Sequence, residues 1–254
     1  MQPLNKALFE YYLRIGDTCL VLGHRLSEWC GHGPMLEEDI AMANMALDLT
    51  GQAELMLSYA SDQDELKRSA DELAFLRDVL QYRNVLLAEQ PNGDFAVTMM
   101  RQFLISIFNE HLYRNLTQSK NKNLAAFAEK SLKEVIYHVR HSSGWVLRLG
   151  NGTEESHERA QNALNDLWIF TDDLFDSDNT DKLLMKEKIA ADPDLIREKW
   201  IQDVKSVLIE AGLTIPEVKN FMRIGGKQGR HTEHLGYLLA EMQFLPRAYP
   251  GTAW

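Results

Sequence analysis

Glycine and proline are scarce, with fifteen Gly and seven Pro in 254 residues, and they gather in clusters between long periodic runs. So few breakers favour an all-helical chain. Cysteine is almost missing. Cys19 and Cys30 lie along one predicted helix, too far apart to bridge. That excludes a disulfide framework and fits a reducing cytoplasm. Long apolar runs are missing as well. A run such as Phe103 to Phe108 is far too short to span a bilayer. The opening MQPLNKALFEYY lacks the apolar core of a signal peptide. The expectation is a cytoplasmic protein with no membrane contact. No basic stripe is present, and the net charge is −10. This argues against nucleic acid and anionic membrane surfaces as partners. What is present is an ordinary globular balance, 45% apolar and 25% charged.

Two helices are predicted first, over about Leu4–Trp29 and Met35–Tyr59, separated by Gly31-His32-Gly33-Pro34. Glu37, Glu38 and Asp39 open the second, where the helix dipole favours negative charge. Residues 61–70 read as a loop. A helix over about Asp71–Ala88 would carry Leu73, Leu76, Leu80 and Leu87 on one face. After a turn ending in Asp94, a plausible N-cap, a third long helix runs over about Phe95–Ser119. The fourth, Leu124 to Gly152, places Ala125, Ala128, Leu132, Val135, Val139 and Val146 at helical spacing. Gly150 and Asn151-Gly152 are expected to supply a left-handed stop. Further helices are expected over about Glu154–Phe175, from the Asp192-Pro193 cap to near Gly212, and over about Thr232–Pro246. The stretch 176–192 reads as irregular surface loop, and Gly225–Gly229 as a flexible bend. Thr214-x-x-Glu217 resembles a capping box before a short run. The reading is one all-α domain: a core bundle over about 4–150 and accessory helices over about 154–254.

The chemistry centres on the fourth helix. Glu134, His138 and His141 project from roughly one side of it. A di-iron site in a four-helix bundle takes one carboxylate from each of two helices and Glu-x-x-His from each of the other two. The first helix offers Asp17. The second offers Asp48, but its histidine slot holds Gly51. The third has Gln102 and Ser106 near its middle, with Glu110 and His111 displaced toward its end. The fourth offers Glu134, with Tyr137 where the imidazole should stand. Both histidine slots are thus empty. The favoured reading is a ferritin-like helical core whose polar remnants Asp17, Asp48, Gln52, Glu134 and Tyr137 hydrogen-bond each other. The alternative is a metalloenzyme with a shifted site in which His138 and His141 rescue the metal. His231-Thr232-Glu233-His234 also looks metal-binding, but no third ligand is evident, and a helix start after a glycine bend explains it more simply. Gly225-Gly226-Lys227-x-Gly229 faintly resembles a phosphate loop with the wrong spacing and no preceding strand.

Four stretches carry a resemblance to a known family: LRIGDTCLVLGHRLSEWCGHGPMLEEDIAMANMALDLTGQA (Leu13 to Ala53), EQPNGDFAVTMMRQF (Glu89 to Phe103), KEVIYHVRHSSGWVLRLGNGT (Lys133 to Thr153) and GGKQGRHTEHLGYLLAEMQFLPRAYPG (Gly225 to Gly251). They are similar to the C subunits of ring-1,2-phenylacetyl-CoA epoxidase, the multicomponent monooxygenase of phenylacetate degradation. The resemblance implies a ferritin-like four-helix bundle with additional C-terminal helices. It implies a structural, non-catalytic subunit that stabilises a catalytic A subunit in a hetero-oligomer. The di-iron centre belongs to that A subunit. NADPH electrons arrive through a separate reductase carrying FAD and a 2Fe-2S cluster. This chain is then expected to contribute no catalytic, cofactor-binding or metal residue. Other subunits of the complex, and a second copy of the isolated chain, stand as further partners. Trp29, Phe103, Phe108 and Trp145 are expected to supply aromatic docking surface.

Overall fold

A computed structural model describes residues 3–217 and 222–252. Among these residues every regular element is helical. In chain order they are α1 (Pro3–Ser27), α2 (Leu36–Gln63), α3 (Ala70–Phe75), α4 (Phe95–Leu116), α5 (Lys122–Gly150), α6 (Glu154–Trp168), α7 (Asn179–Lys186), α8 (Pro193–Glu210), α9 (Glu233–Met242) and α10 (Phe244–Ala248), with short 3-10 turns at Val79–Gln81, Thr171–Leu174 and Gly226–Gln228. None of the described helices is long and apolar enough to cross a membrane.

The chain forms two compact units, each drawn from separate stretches of sequence. The first takes residues up to Pro91, the short Asn179–Leu184 segment, and residues from Gly225 onward. Its spine is the α1–α2 hairpin. Two glycines on α1 let the helices close up. A Cβ on Gly16 would sit 3.1 Å from Met56 Cβ, and one on Gly23 would sit 3.3 Å from the Ala46 carbonyl oxygen. The second unit holds residues 92–178 and 185–224. Its spine is the α4–α5 hairpin, with α6 and α8 packed alongside. The α5 stripe facing inward is Leu124, Phe127, Ala128, Ser131, Val135, His138, Ser142 and Val146.

Local signals place several ends. Asp94 Oδ1 accepts from Val97 N at 3.0 Å, so it caps α4 as expected. Asp192 Oδ1 accepts from Asp194 N at 3.0 Å and Pro193 opens α8. The end of α5 differs from expectation. Asn151 has φ −96, and neither Gly150 nor Gly152 adopts a positive φ. The helix stops because Thr153 at once caps α6, its hydroxyl accepting from Ser156 N at 3.2 Å.

Three other expectations need correction. The helix expected over about Asp71–Ala88 ends at Phe75. Leu73 and Leu87 are buried, whereas Leu76 and Leu80 are exposed. Arg77 takes the Leu73 and Gln81 carbonyls, so side-chain bonds organise this stretch rather than a helical ladder. The stretch expected as loop at 176–192 contains α7. The last helix breaks at Gln243 into α9 and α10. The run after Thr214-x-x-Glu217 falls at residues 218–221, outside the described residues.

After α2, the chain is turned by Asp64, whose carboxylate accepts from Arg68 Nε at 2.7 Å, Nη2 at 3.0 Å and backbone N at 3.0 Å. The Arg68 side-chain bond holds the Asp64 carboxyl below the usual carboxylate range, against the opposing effect of burial. A depressed folded value gives stability that is present above the unfolded value near pH 4 and lost as pH falls through the folded one. Asp64→Asn is expected to cost about 1 kcal/mol at neutral pH, discounted because solvent reaches Arg68. Urea unfolding of both proteins from pH 7 to pH 3 checks this. The gap between them should narrow in acid.

Candidate functional site

In the first unit, Asp17 stands on α1 with its side chain fully buried. Its carboxylate is held by a guanidinium. Arg77 Nη1 donates to Oδ2 at 3.0 Å, and Nη2 donates to Oδ1. The backbone N of Arg83 also donates to Oδ2, at 2.8 Å. Asp17 therefore draws these partners from the loop after α3, not from the helix-borne polar set expected from sequence. A bidentate Arg–carboxylate pair of this kind is strong because both charges are hydrogen-bonded in a low-dielectric site. Burial works against the Arg77 charge, but the facing Asp17 carboxylate outweighs it and raises the arginine further above its ordinary range. The guanidinium also lies 4.3 Å from the centre of the Tyr82 ring. Burial pushes the Tyr82 phenol far above its usual range. A cation entering at Asp17 would have to expel this arginine.

Asp48 is half-buried on α2, one turn before Gly51. Gly51 is exposed, and a Cβ there would meet no atom within 4 Å. Gln52 is buried and accepts from the Cys19 thiol, S to O 3.6 Å. In the second unit, Glu134 is half-buried on α5, and Tyr137 is 42% exposed. The Tyr137 ring lies 5.9 Å from that of His141 and 6.3 Å from that of His138. His138 is 1% exposed and His141 half-buried. On α4, Gln102 Nε2 donates to Ser106 Oγ at 2.9 Å, so these two mid-helix residues bond each other. Among the described residues no group of three or more His, Cys, Asp or Glu is placed to hold a metal ion.

The His231–His234 cluster is organised around an acid the sequence did not single out. Glu89 is fully buried. Its Oε1 accepts from Thr232 N at 2.6 Å and Thr232 Oγ1 at 2.8 Å, and its Oε2 accepts from Asn84 Nδ2 at 2.9 Å. His231 Nδ1 lies 2.8 Å from Glu89 Oε2, and Nε2 lies 3.0 Å from the Tyr82 carbonyl. Both ring nitrogens are thereby used. Arg25 ties the same corner, donating from Nη2 to the Glu89 carbonyl at 2.9 Å and to the His234 carbonyl at 3.4 Å. Thr232 then precedes α9, so the cluster is a helix start behind a glycine bend. That bend, Gly225–Gly229, packs onto the loop after α3. A Cβ on Gly229 would fall 2.3 Å from the Leu80 carbonyl oxygen, so close backbone approach accounts for this glycine.

Sequence reading missed Arg77, Arg83 and Glu89. Arg77 and Arg83 lie within the stretch expected as a helix and Glu89 at its end, where charged residues are read as solvated. The aromatic docking surface also needs correction: Phe103 and Phe108 are core residues. Phe108 packs edge-on against Phe175 at 5.6 Å.

Comparison with known proteins adds the family. The model of the phenylacetic acid catabolic protein family matches residues 1–254. The chain is 51% identical over 249 residues to the C subunit of the 1,2-phenylacetyl-CoA epoxidase of Escherichia coli strain K12, covering 97% of this chain and 99% of that protein. The family match spans the four quoted stretches and everything between them, and the chain belongs to the phenylacetic acid catabolic protein family.

Proposed function

We propose that this chain is a structural, non-catalytic subunit of a phenylacetyl-CoA epoxidase complex, with a ferritin-like bundle that stabilises and orients the catalytic di-iron subunit. The likeness to the Escherichia coli protein along nearly all of both chains supports the placement in such a complex. The observation that carries the non-catalytic half is the Asp17 carboxylate, whose two oxygens both accept from Arg77. A guanidinium supplies the charge balance that a metal would otherwise provide, and removing it would strand a buried carboxylate. Gly51 offers no ligand atom, and Tyr137 is substantially exposed. This donor set does not fit a di-iron centre. The two long hairpins, α1–α2 and α4–α5, support the ferritin-like reading. Iron, flavin, the 2Fe-2S cluster and NADPH oxidation then belong to the other components of the complex.

The test is iron analysis and turnover on the purified chain after aerobic iron loading. The expected result is no stoichiometric iron and no epoxide from phenylacetyl-CoA when the reductase and NADPH are added. Two irons per chain with substrate turnover would restore the metalloenzyme reading, with His138 and His141 as its ligands.

A further inference from the structure

The first unit holds a groove of about 730 Å³ between α3 and the stretch running from the end of α9 through α10 to Thr252. Phe75 and Leu76 form one wall, and Leu245, Pro246 and Tyr249 the other. Leu76, Leu245 and Tyr249 are 47%, 49% and 56% exposed. Large apolar side chains left bare around one depression, with a polar rim, are a signature of an interaction site. The rim residues are Asp71, Glu72 and Glu241, and among the described residues no lysine or arginine lines the groove.

The walls are fixed relative to each other by hydrogen bonds, buried at Gln243 and reaching solvent at Arg247. Gln243, at the α9–α10 break, donates from Nε2 to the Arg77 carbonyl at 2.8 Å and to the Tyr82 hydroxyl at 2.8 Å. Arg247 Nη2 donates to the Arg77 carbonyl at 3.1 Å and to Asp78 Oδ1 at 3.2 Å. The start of α9 is pinned by the Glu89–His231–Thr232 cluster. A groove fixed in this way need not be ordered by its occupant, which lowers the cost of binding.

We propose that this groove docks a segment of the catalytic subunit that carries apolar side chains flanked by lysine or arginine. The proposal rests on the subunit reading above. Charge decides the occupant. Three carboxylates with no lysine or arginine in the lining, on a chain of net charge −10, repel an anionic acyl-CoA or a nucleic acid. They favour a basic segment, steering its approach and fixing its register, while the apolar walls supply the adhesion.

The experiment measures binding of the full chain to the purified catalytic subunit by calorimetry at low and high salt. Asp71→Lys/Glu241→Lys is compared with Glu129→Lys/Glu158→Lys, a reversal of equal charge at exposed acids outside the groove. Circular dichroism and thermal midpoints establish folding. The groove pair is expected to weaken binding by about tenfold at low salt and to flatten the salt dependence, with the control pair near wild type. Leu245→Ser should weaken binding at both salt concentrations. The charge-reversal pair decides the matter should Leu245→Ser fold poorly. Equal binding by wild type and both groove variants overturns the proposal and leaves the subunit reading intact. Groove variants that alter only self-association in sedimentation also overturn it, since the occupant is then a second copy. Failure of the wild-type chain to bind the catalytic subunit overturns both.

Discussion

Arg77→Leu is expected to destabilise the chain by about 3–5 kcal/mol, the usual cost of stranding one member of a buried ion pair. Asp17 is fully buried, and its other bond to the loop, from Arg83 N, cannot neutralise its charge. The damage should spread along the loop, because Arg77 also donates to the Leu73 and Gln81 carbonyls and stacks on Tyr82. For a chain of this size the thermal midpoint should fall by on the order of 10 °C. Arg77→Lys should cost less, keeping the charge but losing the two-pronged geometry. The decisive comparison is Asp17→Leu/Arg77→Leu. Removing both charges leaves no uncompensated group, so the double variant is expected to be more stable than Arg77→Leu alone. Urea denaturation of wild type, Asp17→Leu, Arg77→Leu and the double variant checks the cycle. A double variant less stable than Arg77→Leu would mean that Asp17 has other work to do at this site.

The long helices were legible in the sequence because their signals are local. The ends of α4 and α8 were marked by Asp94 and by Asp192-Pro193, each of which needs only its own next turn. The stretch from Asp71 to Glu89 was not legible. Leu73, Leu76, Leu80 and Leu87 repeat at helical spacing, yet the chain leaves the helix at Phe75. What overrides the periodicity is long-range: Arg77 reaches Asp17 sixty positions back, and Glu89 reaches His231 well over a hundred positions ahead. Single-sequence patterns carry no information on such pairs. Gly51 and Tyr137 in the two histidine slots could be seen from spacing alone. The arginine that satisfies Asp17 could not, because an arginine in a predicted helix looks like any other solvated charge.

The largest functional effect is expected on leaving this chain out of the complex. On the proposed structural role, the catalytic subunit alone would leave bare the face this chain covers, and a bare apolar face favours aggregation. Interfaces of obligate subunits commonly bury more than about 2,000 Å². Small displacements of catalytic groups, of about 1 Å, can cost on the order of 100-fold in rate, so loss of that support should register in turnover as well as in solubility. The most direct measurement is epoxide formation from phenylacetyl-CoA by catalytic subunit plus reductase, with and without this chain, alongside the fraction of catalytic subunit that stays soluble. The expected result is that activity falls by about 100-fold or more and solubility drops when the chain is omitted, and that both return when it is added back without iron. Full activity and solubility in its absence would contradict the structural-subunit reading.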